Sequence, residues 1–453
     1  NKESKNLIIK SKPNYVEGAL FNHYFTEGKF IEEQISEDIY SRIPISLYLQ
    51  SDIPNSFSAE FDALRGKLDQ VSLEQGTAKK LATRAGAVIQ AWNIFRHFYP
   101  YFDVIKRDWN ELLSETLHSV IKDKDENDCV LSLRKMTVAL EDGHASVRHS
   151  ARASLISLPI YFAYVENEIV VLASNDEQIK RGDILMEFND KPAKEVLFKR
   201  EELHSGSPQW RRYLALSYFT AREKGLESKI KIMRAGEEHI FAIKHEKQRP
   251  KAFQREQIEE IEEGIYYVDL DAAPMSAIKS KIAEIAKAQG VIFDLRGYPK
   301  GNHDVIKHMI DRKVKSARWM IPQILYPNMT NVAGYDTSGR WSMEPAEPRI
   351  QGKIVFLTNG RAISYAESFM GIIEHYKLAE IIGSPTAGAN GNINPFTTLG
   401  GFRFSWTGMK VLKQDKSQHH LIGIQPTILM YPTIEGLAKG KDELLEKALE
   451  LLR

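Results

Sequence analysis

The sequence predicts a multidomain α/β protein whose largest part is built on a parallel sheet. The chain has 453 residues, which corresponds to about three domains at roughly 150 residues each. Two apolar runs, at 290–297 and 354–360, lack the alternation of a half-exposed strand and are separated by helical patterns, as in a parallel sheet covered on both faces. Short, closely spaced strand patterns between 155 and 247 indicate a separate β-rich module.

The N-terminal part of the chain predicts two regions of different character. Residues 1–76 are mixed, with an alternating stretch at 43–50, and predict a small β-containing module. From 77 to 150 apolar residues recur every three or four positions, which predicts a bundle of helices that ends at an Asp-Gly-His segment. Asp108 is the predicted N-cap of its second helix. The single cysteine, Cys129, lies at helical spacing in the third.

The remaining residues predict a β-rich module at 151–250 and an α/β core at 251–453. The module contains one predicted helix near 208–223. In the core, apolar strands alternate with helices such as 275–289. Because ligands of such folds bind outside the carboxyl ends of the parallel strands, functional residues are expected in the loops that follow each strand.

Composition excludes several functional classes. Lysine plus arginine number 61 and aspartate plus glutamate 60, so no overall field attracts nucleic acid or anionic lipid. One cysteine excludes internal disulfides and cysteine-built zinc or iron–sulfur sites. The sequence contains no run of about 18 apolar residues, so no membrane-spanning helix is predicted. A start without Met fits removal of a signal peptide, so we expect an exported protein of the periplasm, cell surface or extracellular space.

Ser364 is the strongest local candidate for chemistry. It follows an apolar strand and a short turn and stands at the start of a predicted helix. Free N–H groups and the positive end of a helix dipole can stabilise an oxyanion at that place, although the hydrolase pattern G-x-S-x-G is absent. The structural alternative is a capping box, because Ser364 and Glu367 have the form S-x-x-E.

Two further segments carry candidate residues. The loop at 297–301 contains Gly297 and Gly301, whose backbone N–H groups can point towards the same sheet edge. Its spacing matches neither a dinucleotide-binding nor a Walker pattern, and an ordinary turn is the alternative. His144 follows Asp142 and Gly143, but a single histidine among 13 is more often structural.

Taken in order, these segments resemble the tail-specific, or C-terminal processing, serine peptidases, including relatives of the tricorn protease core. The resemblance covers about 77–450 and implies a helical cap, a PDZ-like module at 151–250 and a parallel-sheet catalytic core of the ClpP/crotonase-like type. The matching segments are DGHA at 142–145, RGDILMEFNDKP at 181–192, VIFDLRGYPKG at 291–301, RAISYAESF at 361–369, GSPTAGANGN at 383–392 and LIGIQPTILMYP at 421–432.

The resemblance also implies roles for individual residues. Ser364 matches the family's nucleophile and His144 its histidine, while the backbone N–H groups of Gly297 and Tyr365 match the oxyanion hole. Where the Ser/Lys branch of the family has its lysine, this chain has Ala389. That difference favours a Ser/His pair and leaves the group that orients His144 unassigned.

We also expect supporting roles for His420 and Glu367. The implied function is a serine endopeptidase that cleaves peptides or unfolded proteins, in particular their C-terminal regions, through an acyl-enzyme. No cofactor, metal or nucleic acid is expected.

Two alternatives remain open: a catalytically decayed peptide- or ligand-binding protein on the same scaffold, and an esterase or amidase. The PDZ-like module either docks extended C-terminal peptides by strand addition or only packs the cap against the core.

Overall fold

A computed structural model describes residues 30–44, 58–70, 77–151, 155–246, 250, 253, 255–324 and 332–453. These residues form two units, one with the described residues up to Leu68 together with Ile321–Asp336, and one with all the others. The first unit contains the strands Phe30–Ser36 (β1) and Ile39–Pro44 (β2) and the helix Ser58–Asp69 (α1). Most of the predicted strand at 43–50 lies outside the described residues.

The helices predicted after Thr77 are confirmed as Leu81–Phe98 (α2), Trp109–Lys122 (α3) and Glu126–Val138 (α4). Asp108 caps α3 as predicted, since its carboxylate accepts hydrogen bonds from the N–H groups of Asn110 and Glu111. Cys129 is fully buried among the apolar side chains of the bundle. Burial raises the pKa of its thiol to about 12, so the only cysteine is a packing residue and not a nucleophile.

The β-rich module is an antiparallel sheet with two helices, where the sequence predicted one. The five longer strands run in the order β11-β10-β7-β6-β5, and α5 and α6 supply part of the apolar core. The additional helix, α5, has only about two turns, too few for a clear apolar period. Strand Ser146–Arg148 (β3) precedes the module and belongs to another sheet. The elements of the module are Leu155–Ile156 (β4), Ile160–Val165 (β5), Glu168–Ser174 (β6), Ile184–Phe188 (β7), Lys191–Pro192 (β8), Ala193–Glu201 (α5), Pro208–Tyr218 (α6), Arg222–Glu223 (β9), Glu227–Arg234 (β10) and Glu237–Lys244 (β11).

The C-terminal region confirms the predicted mixed α/β class. Its elements are Ile258–Glu262 (β12), Ile265–Asp269 (β13), Met275–Ile285 (α7), Gly290–Leu295 (β14), Val314–Lys315 (β15), Arg318–Ile324 (β16), Val332–Asp336 (β17), Ser342–Met343 (β18), Lys353–Thr358 (β19), Tyr365–Tyr376 (α8), Glu380–Gly383 (β20), Ile393–Thr397 (β21), Arg403–Thr407 (β22), Lys410–Leu412 (β23), Ile428–Leu429 (β24), Ile434–Ala438 (α9) and Glu443–Leu452 (α10).

The central sheet has the order β12-β13-β14-β19-β20-β24, and all of its pairs except β12 with β13 are parallel. Helices α7 and α8 cover one face and α10 covers the other. Burial on both faces explains why these strands lack polar alternation. In the part of the chain that the structure describes, every helix is too short or too polar to cross a bilayer.

A buried charged network fixes the loop that follows β14. The Arg296 guanidinium donates to the Asp294 carboxylate at 2.6 Å and to both oxygens of Asp442 at 2.8 Å. Burial alone would raise the pKa of Asp294, but Arg296 holds it below its usual value. Gly297 comes next, and a Cβ there would lie 2.3 Å from Asp271 Oδ2. Any larger residue at 297 would therefore displace the Asp271 carboxylate.

We expect Asp442→Ala to lower the free energy of unfolding by about 3–5 kcal/mol, because Arg296 would keep a buried charge without its second partner. Urea denaturation followed by circular dichroism measures the loss. The matched control is Glu195→Ala, which breaks the exposed ion pair with Lys199 on α5 and should cost less than about 1 kcal/mol. Equal losses in the two variants would contradict the assigned role of the network.

Candidate active site

Ser364 lies in the turn between β19 and α8 in an uncommon backbone conformation. Its φ is 58° and its ψ −109°, in the half of φ/ψ space that costs a non-glycine residue about 1–3 kcal/mol and recurs at functional sites. Its N–H donates to the carbonyl of Ala389 at 2.9 Å and to Glu367 Oε2 at 3.3 Å. The strain is therefore held by specific contacts.

The capping box expected as the structural alternative is also present. Ser364 is the N-cap of α8, and it forms the capping-box pair with Glu367. The two interpretations are compatible, since a residue at the N-cap can keep its hydroxyl at the carboxyl edge of the sheet while its N–H group binds Glu367.

Glu367 does more than cap the helix. Its buried carboxylate accepts hydrogen bonds from Thr386 Oγ1 at 2.5 Å, Gly388 N at 2.6 Å and Ala389 N at 2.9 Å. His419 Nε2 lies 3.3 Å from Glu367 Oε2. Burial alone would raise the pKa of Glu367, but His419 and these hydrogen bonds hold it below its usual value. The carboxylate thus fixes the loop 386–389 against the start of α8.

Ala389 also joins the end of the helical bundle to this turn. Gly143 packs so closely on it that an added Cβ at 143 would lie 2.6 Å from the Ala389 Cβ. The Ala389 carbonyl meanwhile accepts the Ser364 N–H. Ser364 and the segment that contains His144 therefore both contact Ala389.

His144 is held in one tautomer by Thr407 and Asp142. Its Nδ1 lies 2.8 Å from Thr407 Oγ1, and the same hydroxyl donates to Asp142 Oδ1 at 2.6 Å. The Thr407 N–H donates to the other carboxylate oxygen at 2.7 Å. The Thr407 hydroxyl has one hydrogen, and it uses that hydrogen in the bond to Asp142. The hydrogen bond between His144 and Thr407 must therefore be donated by the Nδ1–H of His144. Nε2 then carries the lone pair of a general base.

The environment of His144 keeps this base neutral. The imidazole is buried, and its Nε2 makes no hydrogen bond within the part of the chain that the structure describes. Burial lowers the pKa of His144, and the charges of Asp142 and Glu367 only partly oppose that effect. A neutral imidazole with an unengaged Nε2 is the form that can accept a proton from a serine hydroxyl.

Thr407 is the functional residue that the sequence did not reveal. It lies 263 residues from His144 in the chain. Strand β22 pairs with β3, with Ser405 opposite Ser146, and continuing that register brings Thr407 towards His144. The Ser405 hydroxyl also donates to the His144 carbonyl at 2.8 Å. A strand pairing of this sequence separation leaves no local pattern to find.

The two backbone N–H groups expected at the oxyanion hole lie at neighbouring positions of the sheet edge. Gly297 follows β14 and Ser364 follows β19, two strands that pair in parallel. Tyr365 is the first residue of α8, where an N–H has no partner within the helix. Among the described residues, neither N–H donates to another group of the chain.

His420, expected in a supporting role, contacts the helical bundle. Its ring stacks on Tyr101 with centroids 4.0 Å apart, and Nε2 lies 3.4 Å from the Tyr99 hydroxyl. Burial lowers the pKa of His420 to about 4, so the ring is neutral there. The group that orients His144 is Thr407 instead.

The β-rich module contributes directly to the site through the segment 205–210. Four of its side chains bind backbone groups of residues 142–143 and 386–387, the two segments that pack at Ala389. The pairs are Ser205 Oγ with Asp142 N at 2.8 Å, Ser207 Oγ with Ala387 O at 2.5 Å, Gln209 Nε2 with Thr386 O at 2.7 Å and Trp210 Nε1 with Gly143 O at 3.0 Å. No three His, Cys, Asp or Glu side chains of the described residues are grouped as ligands of a metal ion.

Comparisons with known proteins show a family match and similar folds. Residues 264–430 match the family model described as Peptidase family S41. No curated protein matches the chain. The structure of mature CPAF complexed with lactacystin is similar, with 14% identity and a TM-score of 0.64 over 82% of this chain and 98% of that one. A putative peptidase from Parabacteroides merdae has 17% identity and a TM-score of 0.50 over 81% and 96%. At these identities the likeness is one of fold.

Proposed function

The chain belongs to peptidase family S41 and is a serine peptidase, and from this premise we propose that Ser364 and His144 hydrolyse peptide bonds through an acyl-enzyme. The observation that carries the proposal is the chain of hydrogen bonds from Asp142 through Thr407 to His144 Nδ1. It leaves Nε2 as the only basic nitrogen of the imidazole. The segment that contains His144 and the strained Ser364 both contact Ala389.

In the proposed reaction His144 Nε2 takes the Ser364 hydroxyl proton while Oγ attacks the carbonyl carbon of the substrate. The N–H groups of Gly297 and Tyr365 donate to the oxygen that becomes negative, an effect worth about 3–4 kcal/mol for each donor in comparable sites. The imidazolium then gives its proton to the leaving amine. A water molecule, activated by the same nitrogen, releases the acyl group from Ser364.

Thr407 and Asp142 act on His144 in two ways. The Thr407 hydroxyl fixes the tautomer and the ring plane through its contact with Nδ1. The Asp142 carboxylate lies one hydroxyl further away and stabilises the positive charge of the imidazolium without receiving its proton. We therefore assign both as positioning residues. This arrangement argues against the catalytically decayed alternative, which would need neither the strain nor the fixed tautomer.

The finer architecture supports a preference for extended peptide ends. We propose that the core is of the ClpP/crotonase-like type and that the β-rich module is PDZ-like. Its sheet ends at β11, with Ile240 exposed there, so an extended C-terminal segment can add a strand at that edge. The substrate is then a peptide or an unfolded protein that is cleaved in its C-terminal region.

The experiment that tests the function is active-site labelling with a fluorophosphonate, followed by mass-spectrometric mapping of the modified residue. We expect one modification per chain, on Ser364, because its strained position at the start of α8 and the neutral, unengaged Nε2 of His144 are the features of an activated serine. Heat-denatured protein is the control and should not be labelled. A modification at another serine of the native protein would refute the assignment.

The rate of labelling should depend on pH through His144. The base must be neutral to act, so the rate falls when the pH drops below its pKa. Burial lowers that pKa, and we therefore expect the acidic limb to have its midpoint below the ordinary histidine value of about 6.5. Rates measured from pH 4 to 9 give the midpoint. His144→Ala should lose the limb, and a midpoint above about 7 would contradict the described environment.

A further inference from the structure

Aromatic side chains lie beside both N–H groups of the proposed oxyanion hole. Tyr298 directly follows Gly297, and Tyr365 itself supplies the second N–H. The centroids of the two rings are 5.8 Å apart. The attacked carbonyl would lie between these N–H groups. The Cβ atom of the same substrate residue is only two bonds from the carbonyl carbon. It therefore lies within reach of both rings.

His303 and Trp341 complete an aromatic wall, which consists of Tyr298, His303, Trp341 and Tyr365. His303 stacks on Trp341 with centroids 4.5 Å apart. The edge-on contacts of Tyr365 with His303 and with Trp341 are both 5.6 Å between centroids. Such a cluster offers ring faces and edges at spacings that favour further aromatic contacts.

Hydrogen bonds fix the aromatic wall, and its side chains are uncharged. The His303 backbone N–H donates to the Tyr365 hydroxyl at 3.1 Å, and that hydroxyl lies 2.7 Å from His303 Nδ1. The hydroxyl and Nδ1 therefore share a hydrogen bond that joins the two side chains. Burial lowers the pKa of His303, which favours its neutral form. The Trp341 N–H donates to Ser316 Oγ at 2.9 Å, which fixes its backbone.

Tyr298 presents a free ring on a fixed backbone. Its side chain is 49% exposed. Its N–H donates to Asp271 Oδ1 at 2.9 Å, and the other oxygen of that carboxylate accepts from Arg361 at 2.8 Å. The loop is therefore held in place while the ring is available to a ligand, so a contact with it costs little conformational entropy.

We propose that the aromatic wall is the subsite for the substrate residue whose carbonyl is attacked, and that it selects an aromatic or large aliphatic side chain. This inference rests on the proposed function and specifies its substrate. A large apolar side chain would bury its surface against the rings. A small side chain would leave the rings in water, and a carboxylate would lose solvation without finding a partner in the wall.

Peptides that differ only at this residue test the proposal, with Phe, Leu, Ala or Asp at that position. We expect kcat/KM for Phe and Leu to exceed that for Ala by about 10–200-fold, with Asp cleaved most slowly. Tyr298→Ala should reduce the Phe-to-Ala ratio by about two- to tenfold, and Tyr298→Phe should keep it. Phe98→Ala removes a comparably exposed ring, 40% exposed, from the helical bundle and should leave the ratio unchanged.

Fluorophosphonate labelling of the same preparations separates the two possible failures. If Ser364 is labelled but the four peptides are cleaved equally, or the ratio survives Tyr298→Ala, the subsite is refuted and the proposed function stands. If the wild-type protein is neither labelled at Ser364 nor able to cleave any of the peptides, the proposed function fails and the subsite with it.

Discussion

Ser364→Ala is expected to lower kcat/KM for peptide hydrolysis by at least about 10⁴-fold and to abolish fluorophosphonate labelling. Without the hydroxyl no acyl-enzyme forms, and the residual rate comes only from the oxyanion donors and substrate binding. The fold should persist, because the hydrogen bonds from residue 364 to the Ala389 carbonyl and to Glu367 Oε2 use the backbone N–H group, which alanine keeps.

The matched control for Ser364 is Ser280→Ala, which removes an exposed hydroxyl on α7 that donates to the Ala277 carbonyl of its own helix. It should leave kcat/KM unchanged. Thermal unfolding of both variants verifies that they are folded. A Ser364→Ala protein that retains more than a few per cent of wild-type activity would show that another group attacks the peptide bond.

Thr407→Val is the second large effect, and we expect it to lower kcat by about 10²–10⁴-fold with little change in KM. Valine has the shape of threonine but accepts no hydrogen bond, so His144 Nδ1–H loses its partner and the imidazole can adopt the other tautomer. Asp142 also loses a donor. The substrate contacts stay in place, which is why the loss should fall on kcat.

Thr407→Ser provides the rescue, because it restores the hydroxyl without the methyl group, and its kcat should return to within about tenfold of wild type. If Thr407 had only a structural role, kcat would fall with the loss of stability in both variants. The acidic limb of the pH profile gives a second readout, since its midpoint belongs to His144 and should move only in Thr407→Val. Wild-type kcat in Thr407→Val would refute the role of Thr407.

The elements that could be predicted from sequence are those set by local patterns. Continuous apolar runs predicted β14 and β19, and the polar residue before an apolar period predicted the N-cap Asp108. The position of Ser364 at the start of a helix followed from the same strand-to-helix pattern. These features need only neighbouring residues, so they are visible without knowledge of tertiary contacts.

What could not be predicted depends on distant pairings. Thr407 reaches His144 because β22 pairs with β3, and no property of either segment specifies that pairing. The same holds for the segment 205–210, whose polar side chains look like ordinary loop residues until they are seen to bind the backbone of 142–143 and 386–387. Long-range hydrogen bonds of this kind carry no period in the sequence.

The close packing around Ala389 limits which side chain this position can hold. Its methyl group lies so close to Gly143 that even one added carbon at 143 would come within 2.6 Å, and its backbone binds both Ser364 and Glu367. The Ser/Lys branch of the family that this chain resembles has a lysine at this position. Because Ala389 is buried and its methyl group lies against Gly143, a longer side chain at 389 would displace the segment that contains His144.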